Sequence, residues 1–208
     1  MPIFLSEIPS LIRHDEKHKV NVVFIQVSPP DPHGFCSLGV SVDCTRSAVV
    51  HAAVVVAQVN PKMPRSHGDS FIHIDQINYA VEHEMDLYEL PGISDEKTTD
   101  ETEVYTKIVK NIAALIEDGA TLQMGIGAIP DAVLAQLGNH KHLGVHTEMF
   151  SDGLIPLIEK GIVNCAKKSL LPGKIVTSFC LGSRKLFEYI HDNPLVEMRP
   201  TEFVNDPF

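Results

Sequence analysis

One carboxylate, Glu148, directly follows a segment that is predicted to be a strand, residues 143–147. In open α/β sheets, ligands bind beyond the carboxyl ends of the strands, where a carboxylate can act as a nucleophile or a general base. The same glutamate is also explained as a surface or helix-capping group, because Ser151 and Asp152 after it are typical N-cap residues. The pattern alone favours this second explanation for any single glutamate.

A glycine segment, formed by Gly125, Ile126, Gly127, Ala128 and Ile129, is predicted to be a loop between a strand and a helix. Glycine lets the backbone approach a ligand closely, and the free N–H groups of a first helical turn attract an anion. The segment therefore predicts a phosphate or pyrophosphate site, and a tight strand-to-helix turn explains it equally well. A Rossmann-type NAD site is disfavoured, because the third position after Gly127 is Pro130 rather than Gly or Ala.

Two histidines, His67 and His73, flank a short polar segment that contains Ser70. Their six-residue separation fits neither zinc-ligand spacing nor one face of a helix, so we expect no metal site here. Ser70 lacks the G-x-S-x-G pattern of a hydrolase nucleophile. We expect instead a loop rich in hydrogen bonds that lines a cleft.

The elements that must position these residues alternate along the second half of the chain. In the first half, apolar runs predict strands at 20–27, 51–59 and 71–74, although the alanines at the start of 51–59 also allow a helix. A polar break at Pro91–Asp100 follows, with a Pro-Gly turn signal. Beyond it the predicted order is helix 101–117, strand 121–124, helix 130–137, strand 143–147, helix 154–160, strand 174–180 and helix 184–191. Such alternation predicts βαβ units and a parallel sheet, and the last residues, 204–208, are predicted to be extended.

The composition excludes several classes of protein. The 208 residues carry 17 Lys and Arg against 27 Asp and Glu, a net charge of −10, which disfavours a general nucleic-acid binder or an anionic membrane surface as partner. No apolar run approaches the ~18 residues of a membrane-spanning helix, and the N-terminus lacks the pattern of a signal peptide. The four cysteines show no zinc spacing, and we expect reduced thiols in an intracellular protein.

Taken together, these segments resemble the acetyl-CoA hydrolase/transferase family, most closely its 4-hydroxybutyrate and butyrate:acetate CoA-transferases. The resemblance covers almost the whole chain, and the combination of residues 125–131 with the segment around Glu148 is its most specific part. The matching stretches are 4–9, 27–31, 34–36, 68–73, 115–119, 122–133 and 146–153.

The resemblance implies a role for each candidate residue. Glu148 occupies the position of the family's catalytic glutamate, which attacks an acyl-CoA thioester and then carries CoA as a glutamyl-CoA thioester. Gly125, Ile126, Gly127, Ala128 and Ile129 match the loop that contacts CoA. The implied substrates are a short-chain acyl-CoA and a carboxylic acid, with no metal and no NAD. Two alternatives stay open: an acyl-CoA hydrolase that uses the same glutamate, and a CoA-binding module without catalysis.

The resemblance also implies an α/β fold of open, mostly parallel sheets with flanking helices, the CoA-transferase fold in incomplete form. We expect a partial N-terminal domain at residues 1–92 and a second α/β region at 93–208, because members of the family are much longer than this chain. A homo-oligomer is expected, in the cytoplasm or in a mitochondrion.

Overall fold

The structure is a computed structural model that describes residues 2–90 and 99–206. Within these ranges the chain forms short strands and helices that alternate over much of its length. The strands are β1 Val22–Val27, β2 Phe35–Ser37, β3 Val54–Val59, β4 His67–Gly68, β5 Phe71–His73, β6 Tyr79–Glu82, β7 Thr121–Leu122, β8 Gly144–Phe150, β9 Ile175–Cys180 and β10 Val196–Met198. The α-helices are α1 Ile8–His14, α2 Thr45–His51, α3 Thr99–Ala114, α4 Ala128–Gln136, α5 Ile155–Glu159, α6 Arg184–Ile190 and α7 Thr201–Val204.

A small parallel sheet with the order β1-β3-β6 occupies the first half of the chain. The predicted strand at 20–27 is confirmed as β1, and the ambiguous run at 51–59 divides into the end of α2 and the strand β3. One face of the sheet is buried through Ile25 and Ala57, whereas Phe24 on the other face is 79% exposed. A β2–β5 antiparallel pair lies outside this sheet.

The larger sheet has the order β4-β10-β9-β8-β7, and every pair in it is parallel. This confirms the predicted α/β class with mostly parallel sheets. The strand β4 comes from the first half of the chain and pairs with β10 near its C-terminal end. The two halves therefore contribute to one sheet and to one cluster of buried apolar side chains.

The predicted domain boundary near Pro91–Asp100 falls mostly outside the described residues. Residues 91–98 are not described, so the division into residues 1–92 and 93–208 stays a prediction.

Three sequence-based expectations are corrected by the structure. The helix α4 begins at Ala128, so Ala128 and Ile129 form its first turn rather than part of a loop. Residue 204 ends the short helix α7, where an extended segment was expected. The apolar stripe predicted on the helix at 101–117 is only partly buried, because Leu115 is 82% and Val104 is 59% exposed whereas Ile116 packs against the core.

Candidate active site

Glu148 lies inside β8 and not directly after it, which corrects the predicted position. The strand continues to Phe150 because its partner β9 pairs with it as far as Phe150 and Cys180. Glu148 is half-buried, between the fully buried Thr147 and the buried Met149. Because side chains alternate along a strand, Glu148 and Thr147 face opposite sides of the sheet.

The glycine segment begins at the same edge of the sheet as Glu148. The strand β7 is parallel to β8, with Leu122 paired to Val145. Two residues further on, the Met124 N–H donates to Thr147 Oγ1 at 3.0 Å, and Thr147 Oγ1 lies 3.1 Å from the Met124 carbonyl oxygen. This bonding fixes the residue that precedes Gly125 against the residue that precedes Glu148.

Within the segment, Gly127 is the N-cap of α4 and has a backbone that other residues rarely adopt, with φ 120° and ψ 178°. A side chain at this position would meet no atom within 4 Å, so the conformation and not crowding requires glycine. Ile126 is 63% exposed and Ile129 is also exposed. The segment therefore exposes a glycine backbone and the N-terminus of a helix to solvent, the arrangement in which backbone N–H groups bind anions.

A residue that the sequence analysis missed, Asn205, lies directly against the candidate carboxylate. Its side-chain Nδ2 donates a hydrogen bond to Glu148 Oε2 from the residue that follows α7. His146, on the same face of β8 as Glu148, lies with its Nε2 3.1 Å from the Val204 carbonyl oxygen, and its ring stacks with that of Phe203. The end of α7 is thus attached to β8 at two points.

The environment under α7 is partly shielded from water. Burial, and then the charge of Lys168, lower the pKa of His146 below its ordinary value of 6.5, although the Val204 carbonyl opposes this shift. The Cys44 thiol lies 3.8 Å from Thr201 Oγ1 at the start of α7. Burial is the main cause that raises the pKa of Cys44, and the Glu148 carboxylate adds to it. Cys44 is therefore a protonated neighbour of the site at neutral pH.

The other candidate residues lie apart from this arrangement. Ser70 is fully buried and its hydroxyl donates to the Ser66 carbonyl, while His67 Nε2 lies 3.0 Å from Asp192 Oδ1. Within residues 2–90 and 99–206, no group of three or more His, Cys, Asp and Glu side chains is arranged to hold a metal ion. A search of the same residues finds no helix that is long and apolar enough to cross a membrane.

Comparison with known proteins confirms the family resemblance. Residues 1–88 match the family model for the acetyl-CoA hydrolase/transferase N-terminal domain. The chain is 49% identical over 208 residues to the 4-hydroxybutyrate coenzyme A transferase of Clostridium kluyveri, covering 99% of this chain and 46% of that protein. It is 50% identical over 208 residues to the succinyl-CoA:acetate/propanoyl-CoA:succinate CoA transferase of Fasciola hepatica, covering 99% of this chain and 42% of that protein.

The fold agrees with that of a solved relative. A 4-hydroxybutyrate CoA-transferase from Porphyromonas gingivalis superposes with a TM-score of 0.89 at 42% identity, covering 100% of this chain and 52% of that one. The chain thus spans about half the length of the relatives that it matches.

Proposed function

We propose that this chain is a member of the acetyl-CoA hydrolase/transferase family and takes part in transferring CoA between a short-chain acyl-CoA and a carboxylic acid. Acetyl-, butyryl- and 4-hydroxybutyryl-CoA are the proposed donors. The observation that carries the proposal is the position of Glu148: its half-buried carboxylate accepts from Asn205, and the residue before it bonds to Met124, which precedes the glycine segment. A fixed carboxylate next to an anion-friendly turn suits attack on a substrate that carries phosphates.

In the proposed reaction, a Glu148 carboxylate oxygen attacks the carbonyl carbon of the acyl-CoA thioester. A C–O bond forms, the C–S bond breaks, and CoA leaves as a thiolate with the electron pair. The thiolate then attacks the glutamyl carbonyl carbon of the mixed anhydride, forming a new C–S bond while the acyl group leaves as a carboxylate. The acceptor acid reverses these two steps, so the energy of the thioester is kept throughout.

The proposed CoA contacts are Gly125, Ile126, Gly127, Ala128 and Ile129. The exposed backbone of this segment and the start of α4 offer N–H groups to a phosphate of CoA. Backbone N–H groups near Gly127 are also suited to stabilise the oxyanion that develops when the thioester carbonyl is attacked. Both roles depend on the close approach that a residue without a side chain allows.

The experiment that tests the proposal traps the covalent intermediate. The 208-residue chain is incubated with acetyl-CoA or butyryl-CoA, reduced with borohydride and analysed by peptide mass spectrometry. A reduced adduct at Glu148 is expected in the wild type and none in Glu148→Gln. Glu117→Gln is the matched control, because Glu117 is an exposed carboxylate that precedes β7 and lies outside the site. An adduct that persists in Glu148→Gln overturns the assignment.

The same assay separates the alternatives. Release of free acid without an acceptor acid would identify a hydrolase, because water then resolves the glutamyl intermediate. CoA binding without any adduct would identify a binding module without catalysis.

The expected cellular setting is also a proposal. All four cysteines are free thiols, which suits a reducing intracellular compartment, cytoplasmic or mitochondrial. The proposed homo-oligomer is tested by sedimentation velocity over a range of protein concentrations, where a constant monomer mass would contradict it.

A further inference from the structure

The buried hydroxyl of Ser178 has no hydrogen-bond partner among the described residues, although the side chain is fully buried. Buried hydroxyl groups in proteins are nearly always paired, because an unpaired one loses on folding the hydrogen bonds that it makes to water in the unfolded chain. The backbone of Ser178 is well bonded, since its carbonyl accepts from the N–H groups of Val42 and Asp43 at 3.0 and 3.2 Å. The hydroxyl is the buried side-chain group of Ser178 that lacks a described partner.

Ser178 lies on β9 between two residues whose partners on β8 flank Glu148. The pairs Thr147–Thr177 and Met149–Phe179 flank this position on β8 and β9. Because side chains alternate in both strands, Ser178 and Glu148 project from the same face of the sheet. That is the face on which α7 packs against both strands.

Glu148 has an oxygen to accept a bond from this hydroxyl. Asn205 Nδ2 donates to Oε2, and no described residue donates to Oε1. An ionised carboxylate accepts bonds on both oxygens, whereas a serine hydroxyl has one proton to donate. Oε1 of Glu148 therefore has room for a bond from the one proton that the Ser178 hydroxyl can donate.

We propose that Ser178 is a positioning residue for Glu148, whose hydroxyl donates to the second side-chain oxygen of the glutamate when the glutamate is acylated. The inference rests on the proposed function and deepens it. When CoA thiolate attacks the glutamyl carbonyl carbon, a C–S bond forms and the bond to the leaving carboxylate breaks. The other glutamyl oxygen gains negative charge before it returns to a carbonyl. Ser178 holds this oxygen by hydrogen bonding and keeps its own proton.

A positioning role and a purely structural role predict different results for Ser178→Ala. Removing an unpaired buried hydroxyl takes away a desolvated polar group, so the variant is expected to unfold at an equal or higher urea concentration than the wild type. The rate of adduct formation at Glu148 is expected to fall about tenfold or more, the loss typical of one hydrogen bond to a charged group. CoA affinity is expected to stay the same, because the glycine segment is unchanged.

The matched control is Ser47→Ala, in a buried serine whose hydroxyl donates to the Pro9 carbonyl at 3.1 Å. This variant removes a satisfied bond away from Glu148, so it is expected to lower stability and to leave the rate of adduct formation unchanged. Ser178→Ala is thus expected to lower the rate of adduct formation without lowering stability, and Ser47→Ala to lower stability without changing that rate.

The experiment measures urea unfolding, CoA binding and the borohydride-trapped adduct for the wild type and both variants. A wild-type adduct that Ser178→Ala forms at the same rate overturns the inference and leaves the proposed function standing. A Ser178→Ala variant that is clearly less stable shows that the hydroxyl has a structural bond, which also overturns it. If the wild type forms no adduct, the proposed function fails and the positioning role fails with it.

Discussion

Replacing Thr147 by Val tests how the glycine segment is held beside the candidate carboxylate. The two side chains have nearly the same shape, so the substitution removes a hydroxyl without opening a cavity. The Thr147 hydroxyl is fully buried, accepts from the Met124 N–H at 3.0 Å, and lies 3.1 Å from the carbonyl oxygens of Met124 and Met149. It is the described contact that fixes the end of β7 immediately before Gly125.

The expected cost follows from these contacts. Leaving the buried Met124 N–H without its acceptor costs about 1–3 kcal/mol, and the lost donated bond adds about 1 kcal/mol. Thr147→Val is therefore expected to lower the free energy of unfolding by about 2–4 kcal/mol. Thr147→Ser keeps the hydroxyl and loses one buried methyl group, which costs about 1 kcal/mol.

The assay is urea unfolding of the three proteins, followed by circular dichroism. With a slope of roughly 2 kcal/mol per molar urea, Thr147→Val is expected to unfold about 1–2 M below the wild type, and Thr147→Ser about 0.5 M below it. Adduct formation at Glu148 is expected to fall in the valine variant and to persist in the serine variant. A valine variant as stable as the serine variant would refute the reasoning.

Two further substitutions test the backbone and the charge state of the site. Gly127→Ala is expected to weaken CoA binding severalfold and to cost about 1–3 kcal/mol of stability, since alanine rarely adopts the φ of 120° found at Gly127. The control is Gly138→Ala, because a side chain there also meets no atom within 4 Å. Equal CoA affinities of the two variants, measured by calorimetry, would count against the glycine segment. The pKa of His146 in the folded protein lies below 6.5, so as the pH falls this histidine takes up a proton in the unfolded chain before it does so in the folded protein. Stability is therefore lost as the pH falls from 6.5 toward the lower pKa of the folded protein. The wild type should therefore lose more unfolding free energy between pH 7.5 and 5.5 than His146→Gln, and equal losses in both proteins would contradict this.

Local patterns were sufficient to predict the class of fold. The β-branched run at 20–27 and the run at 174–180 form β1 and β9, because β-branched residues are enriched in strands. The alternation of strand and helix likewise predicted a parallel sheet, since two parallel neighbouring strands must be joined by a crossover such as a helix. The candidate site residues, Glu148 and 125–129, were also singled out in the sequence, although for Glu148 only the family resemblance outweighed a capping role.

The remaining features depend on contacts between distant parts of the chain. Where β8 ends is decided by its pairing with β9, so Glu148 lies within the strand although the apolar run before it stops earlier. Asn205 is separated from Glu148 by 57 residues, and the helix before it has only four residues. A helix that short has no amphipathic period to detect, so no sequence signal indicated that its end would hold the glutamate.

The arrangement of β8 and β9 divides the site between the two faces of one sheet. Thr147 and its pair Thr177 project from one face, and each hydroxyl bonds to backbone groups, Thr177 Oγ1 to the Glu148 carbonyl at 3.2 Å. Glu148 and Ser178 project from the other face, under α7. Threonine substitutions should therefore disturb how the glycine segment and the strand are held, whereas Ser178 substitutions should change the reactivity of Glu148 at constant CoA affinity. A threonine variant that slowed adduct formation without losing stability or CoA affinity, as is expected of Ser178→Ala, would mean that the two faces do not act separately.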